Sequence, residues 1–145
     1  MAERRQTRLP RPRPGTAARR TASPVPALWR LFESGSWDEA RALLHPDFIA
    51  RWPQSGECFR GPDNYLAVNR EHPAPGWRLI VQRLVENPGA AALHVTLEHA
   101  EGIDHGACFY VVSRGRILAA TELWAERSQA PAWRASFSEP DGAQS

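Results

Sequence analysis

Arg114-Gly-Arg-Ile-Leu-Ala-Ala-Thr-Glu-Leu-Trp-Ala-Glu126 reads as a turn running into a β-strand. The strand carries one carboxylate, Glu122, between apolar residues and two positions before Trp124. Side chains alternate along a strand, so Leu118, Ala120, Glu122 and Trp124 share one face, and Ile117, Ala119, Thr121 and Leu123 the other. A carboxylate so placed has two readings. It is a solvated or dimer-facing residue of a sheet, or it is the polar handle of a pocket. In the pocket, the neighbouring indole would desolvate it, raise its pKa and make it a usable proton shuttle.

The segments before this strand share its period. Trp77 to Val85, Ala91 to Glu98 and Ala107 to Val112 alternate as strands. Asn87-Pro-Gly89, Glu101-Gly102 and Ser113-Arg-Gly115 supply the turns, and such short connections make the strands antiparallel neighbours. The N-terminal half has helical spacing instead. Leu28, Leu31 and Phe32 fall on one face of a helix that begins at Pro26 and ends at Gly35. Ser36 and Glu39 form a capping-box pattern for a second helix that buries Trp37, Ala40, Leu43 and Leu44, and His45-Pro-Asp47 stops it. Phe48 to Trp52 is a short strand broken by Pro53, followed by a loop, Gln54 to Glu57. Gly61-Pro-Asp63 opens a third helix through about Glu71. Helices first and a meander of strands after predict an α+β fold, one curved sheet wrapped around the N-terminal helices as a cone with an apolar cavity at its open end.

Composition bounds the rest. The chain has 145 residues, enough for one domain with a core. No apolar run approaches the roughly 20 residues of a membrane span, and residues 1–24 lack the apolar segment of a secretory signal. The two cysteines, Cys58 and Cys108, have neither disulfide-framework nor zinc-knuckle spacing, so a reducing cytoplasm is the expected compartment. Residues 1–24 hold seven arginines against Glu3 alone, while the remainder is net acidic. Prolines 10, 12, 14 and 24 and the scarcity of apolar residues make this leader a disordered segment. No aromatic residue is interleaved with its arginines, which argues against a base-stacking nucleic-acid arm. The division expected is a leader (1–24), a folded domain (25–128) and a polar tail (129–145) that docks in part through Trp133 and Phe137.

Four stretches in order, Phe32-Glu-Ser-Gly-Ser-Trp-Asp38, Leu44-His-Pro-Asp-Phe48, Arg60-Gly61 and Arg114-Gly-Arg-Ile117, resemble the nuclear transport factor 2-like superfamily, in particular its SnoaL-like members. Each motif occurs in many folds; their order and spacing carry the resemblance, over about Val25 to Arg127. It implies a deep conical pocket, frequent homodimerisation through the sheet, and activities that range over ketosteroid isomerases, polyketide cyclases, epoxide hydrolases and dehydratases. The isomerases' catalytic carboxylate precedes a proline, and here that position is Trp52; their oxyanion tyrosine falls at Leu28. Both departures count against isomerase chemistry. The epoxide hydrolases' Asp-Arg-Asp set does not assemble, since Asp47 and Asp104 both fall near turns. A pocket carboxylate of the cyclase kind is left open.

Glu122 is therefore the catalytic candidate, with His94 as a pocket hydrogen bond or proton relay if cross-strand geometry brings it to the same face. Trp52, Phe48 and Trp124 are candidate aromatic walls of the pocket, against the alternative of plain core packing. Tyr65 and Asn69 are candidates for its mouth, against the alternative of helix packing. His99 and His105 flank a turn, and with Asp104 or Glu98 they make only a weak metal-site pattern, so no metal is expected. No P-loop, Rossmann fingerprint, nucleophile elbow or HExxH motif occurs, and no cofactor is expected. Two functions stand side by side. One is a binder of a small hydrophobic molecule, with cofactor-free acid/base chemistry of the cyclase, isomerase or hydratase type. The other is a non-catalytic dimerisation or interaction module with a filled pocket. An adaptor using the basic leader is a third and weaker reading.

Overall fold

The computed structural model describes residues 22–72 and 76–142; the leader's expected disorder falls on residues 1–21, outside that range. Helices α1 (Val25–Ser34) and α2 (Trp37–Ala42) are followed by strands β1 (Leu44–Trp52) and β2 (Glu57–Arg60), then by helix α3 (Gly61–Arg70). Strands β3 (Arg78–Asn87), β4 (Ala90–His99), β5 (Gly102–Ser113) and β6 (Arg116–Ala125) complete one six-stranded sheet. Its order is β2-β1-β6-β5-β4-β3. Every pairing is antiparallel except β1 with β6.

Local chemistry explains most boundaries. α1 ends at Gly35, whose φ of 68° is the left-handed conformation that glycine tolerates best. The β5–β6 hairpin turns through Arg114 and Gly115, with φ of 51° and 78°. Two consecutive positive φ values suit the right-handed twist of the strands they join. At the β3–β4 turn, Asn87 Oδ1 accepts from the backbone N–H groups of Gly89 and Ala90.

Three expectations fail locally. Ser36 makes no side-chain cap, because its hydroxyl pairs with Ser34 at 2.8 Å. α2 stops at Ala42 and buries only Ala40, and the chain through His45-Pro-Asp47 is already strand. The cause is β6: the Ile117 N–H donates to the Leu43 carbonyl, and Leu44 pairs with Ile117, which draws the chain into the sheet early. β2, which the sequence pattern does not mark, is an edge strand held by pairing with β1. Trp133 and Phe137 do not dock on the domain, being 73% and 85% exposed. Their segment carries a single 3-10 turn, Ala132–Arg134, and the Arg134 guanidinium lies over the Trp133 ring.

The helices pack against the concave face. Leu28 and Phe32 from α1, Tyr65 from α3, Phe48 from β1 and Ile117 from β6 are fully or almost fully buried there. Burying one such side chain contributes about 1.5–3 kcal/mol. At the near edge of the domain, Ser23 gives both its N–H and its hydroxyl to Glu86 on β3, which ties the start of α1 to the sheet.

Two irregularities change which side chains face inward. β5 and β6 shift register between Val111 and Val112, so Ile117 turns inward although simple alternation sends it outward. Gly106 on β5 pairs with Trp124. A Cβ at Gly106 would lie 2.9 Å from the Trp124 ring and 2.8 Å from Val95, so only glycine leaves room for that indole to lie across β5.

Candidate functional site

The inner face of the sheet is set by three cross-strand rows. Leu93, Cys108 and Glu122 form one, Val95, Gly106 and Trp124 the next, and Leu79, Leu97 and Asp104 the third. Glu122 therefore points inward, which decides between the two readings of its strand, and it has no solvent exposure.

Its two oxygens are occupied. Oε1 accepts from the Tyr110 hydroxyl at 3.0 Å and from the Tyr65 hydroxyl in a shorter bond. Oε2 accepts from the Trp52 indole N–H at 2.9 Å. β5 supplies Tyr110, α3 supplies Tyr65 and the end of β1 supplies Trp52, so three elements converge on one carboxyl group. All these donors are neutral. Burial raises the Glu122 pKa above the usual carboxylate value, and the hydrogen bonds from the tyrosines and Trp52, with Trp124 a weaker fourth, only partly oppose that rise. Both tyrosines are pushed well above the ordinary phenol range, first by burial and then by the Glu122 charge, so they stay protonated donors. Burial also raises the Cys108 thiol, which makes it a packing residue rather than a nucleophile.

Above this cluster lies a cavity of about 270 Å³. Trp29, Trp52, Trp77 and Trp124 supply its aromatic walls, and Leu79, Leu97 and Val68 its aliphatic ones. Gln54, Asn69, His72, Asp104 and Glu126 add polar groups. Glu122 does not line the cavity; the indole of Trp52 caps one of its oxygens and itself forms wall. The Trp29 indole N–H is buried and has no hydrogen-bond partner among the described residues.

The candidate residues thus separate. Glu122, Tyr65 and Trp52 come together, with Trp124 beside them. Asn69 reaches the cavity while its amide N–H donates to the Tyr65 carbonyl at 2.8 Å, one helical turn back. Phe48 is core, 1% exposed and packed on the Tyr65 ring at 4.8 Å between centroids. His94 is on the opposite face from Glu122. It pairs with Ala107, which pairs with Leu123, in the row that faces away from the helices, and there it stacks on His105 with Nε2 and Nδ1 2.8 Å apart. A relay from His94 to Glu122 would have to pass through the sheet.

Sequence reasoning missed Tyr110, Trp29 and Trp77, and it set Asp104 aside as a turn residue. Tyr110 shares strand parity with Cys108, which the structure buries, and a buried tyrosine hydroxyl needs a partner. Asp104 lies two residues into β5, on the inner parity, where it accepts from His99 Nε2 at 3.2 Å. No group of three or more His, Cys, Asp or Glu side chains among the described residues could hold a metal ion. No helix among them is long and apolar enough to cross a membrane.

The model of the SnoaL-like domain family matches residues 25–126. The chain belongs to this family. Solved structures agree on the fold. A protein of Kribbella flavida DSM 17836, named as a candidate ketosteroid isomerase, is 29% identical, with 89% of this chain and 90% of that one covered and a TM-score of 0.72. An NTF-2 like protein of unknown function from Burkholderia xenovorans LB400 is 22% identical over 81% and 92% of the two chains, with a TM-score of 0.65. IdmH of Streptomyces antibioticus, named as a candidate polyketide cyclase, is 19% identical over 69% and 88%, with a TM-score of 0.61. No curated protein matches the sequence. This SnoaL-like domain therefore has the nuclear transport factor 2-like cone as its fold, and its site has to be read from its own residues.

The raised pKa of Glu122 has a defined consequence for stability. The folded state keeps a proton that the unfolded chain releases, so the contribution is fully present below the unfolded value near 4.5 and is lost as pH rises through the folded value. In urea titrations, the stability of the native protein relative to Glu122→Gln should fall as pH is raised from about 4.5. A difference that grows in favour of the native protein over that interval would mean that the donors outweigh burial.

Proposed function

We propose that this SnoaL-like domain binds a small, flat, largely apolar molecule between its tryptophans and, through the acids that line the cavity, performs cofactor-independent acid/base chemistry of the cyclase type on it. The observation that carries this reading is the cavity: four indoles surround a space of about 270 Å³ that side chains leave unfilled. Such a volume admits a compound of one to two fused rings, and indole walls favour stacking on it. The likeness to the Kribbella flavida protein and to IdmH supports proton transfer on such a compound. The unfilled cavity counts against an interaction module with a packed interior.

In this reading Glu122 serves the site from beneath. Its carboxyl group fixes the Trp52 indole and the two tyrosines, so the wall that meets the ligand is rigid before binding. Two free cysteines, one of them exposed, support a reducing compartment such as the cytoplasm. The sheet's outer face exposes Phe109, Val111 and Leu123 on neighbouring strands, which supports self-association of two copies through the sheet. Sedimentation of the full chain should give a dimer, and Phe109→Asp should give a monomer; a native protein that sediments as a monomer at all concentrations would remove that part of the proposal.

β-Naphthol is a suitable first ligand. Calorimetric titration should show saturable binding at one site, and Trp77→Ala should weaken it by roughly several-fold to tenfold, the loss of one aromatic contact. Trp77 is partly buried against the core, so Trp77→Ala lowers the melting temperature, and the titrations are compared at a temperature where circular dichroism shows both proteins folded. Absence of saturable binding by the native protein would overturn the reading of the cavity as an aromatic-ligand site.

A further inference from the structure

We infer that Asp104, oriented by His99, is the polar recognition group of the cavity and selects ligands that present a hydrogen-bond donor, a hydroxyl or enol, at its mouth. This rests on the proposed binding function and specifies its ligand class.

The geometry comes from the β4–β5 hairpin. His99 is the last residue of β4 and pairs with Gly102, the first of β5. Both His99 and Asp104 fall on the inner parity of their strands, the same side as Leu97 and Gly106. They meet at 3.2 Å between Nε2 and Oδ2, and their side chains are only 17% and 26% exposed. The other ring nitrogen of His99, Nδ1, accepts the backbone N–H of Glu101 at 3.3 Å. That bond assigns roles in the neutral ring: Nδ1 accepts, so Nε2 carries the hydrogen and donates to Asp104. The histidine is thereby fixed at both ends, and it fixes the carboxylate in turn.

Asp104 differs from Glu122 in what it can still do. Glu122 lies beneath the wall with both oxygens taken by protein donors. Asp104 lines the cavity itself, and its side-chain donor among the described residues is His99, which occupies Oδ2. An ionised carboxylate accepts several hydrogen bonds, so capacity remains for a ligand. The exposed carboxylate of Glu126 on the same rim adds negative potential there. The site therefore favours neutral donors over anions and acceptor-only groups. The Leu79, Leu97 and Asp104 row places this acceptor at the end of an apolar surface, as a molecule with a ring body and one hydroxyl requires.

β-Naphthol and its methyl ether separate this inference from the binding reading. They share a ring system, and only the naphthol donates a hydrogen bond. The native protein should bind the naphthol on the order of tenfold more tightly than the ether, the scale of a hydrogen bond to a charged acceptor. Asp104→Leu should bring the two affinities together. His99→Leu should reduce the preference, and His99→Gln, whose amide N–H reaches a similar point, should restore it; a purely structural role for His99 would not distinguish these two by ligand preference. Equal binding of both compounds by the native protein would overturn the role of Asp104 while leaving the cavity reading intact. Failure of both to bind would overturn the cavity reading instead. The native comparison needs no variant to fold.

Discussion

The hydrogen bonds to the Glu122 carboxyl group are the constraint on which the rest of this domain depends. A buried acid without compensating donors would cost several kcal/mol, so its site exists only where donors are brought to it. Here they come from three separate elements: Tyr65 from α3, Tyr110 from β5 and Trp52 from β1. The carboxyl group therefore links the helical layer to the sheet at a point where apolar contact alone would allow sliding. It also sets what the cavity looks like from within. Trp52 is held with its N–H turned down to Glu122, and Gly106 leaves the space in which the Trp124 ring lies.

This arrangement divides labour between two acids of the inner face. Burial makes Glu122 a group that resists ionisation, its neutral donors only partly opposing that, and it touches only protein. Asp104, at the mouth and oriented by a histidine, lines the cavity where Glu122 does not. Isolated carboxylates on strands invite the assumption that the more buried one is the more reactive. Access decides otherwise, because proton transfer or recognition requires contact with the ligand.

Much of this was legible in the sequence. The order of helices and hairpins was legible as the cone, and alternation put Ala120, Glu122 and Trp124 on one face while leaving open whether that face met the pocket or solvent. His94, a candidate relay from the sequence, is removed by the cross-strand rows, which set it opposite Ala107 on the outer face. What stayed hidden depends on register and on packing between distant elements. That Tyr110 meets Glu122 follows from the pairing of Cys108 with Glu122, which no local pattern states. The inward turn of Ile117 follows from a bulge. The early end of α2 follows from a backbone bond to β6, more than seventy residues away in sequence. Trp133 and Phe137 misled for the opposite reason: apolar residues in a polar tail suggest docking, yet nothing in the domain receives them.

The central claim is that Glu122 holds the aromatic wall through the Trp52 indole. Nitrogen-15 NMR can follow that indole N–H directly by its exchange with solvent. The account predicts a Trp52 indole hydrogen that exchanges orders of magnitude more slowly than the exposed Trp133 indole, and whose protection collapses in Glu122→Ala while the backbone of β6 remains protected. A Trp52 indole hydrogen that exchanges as fast as that of Trp133 in the native protein would contradict it.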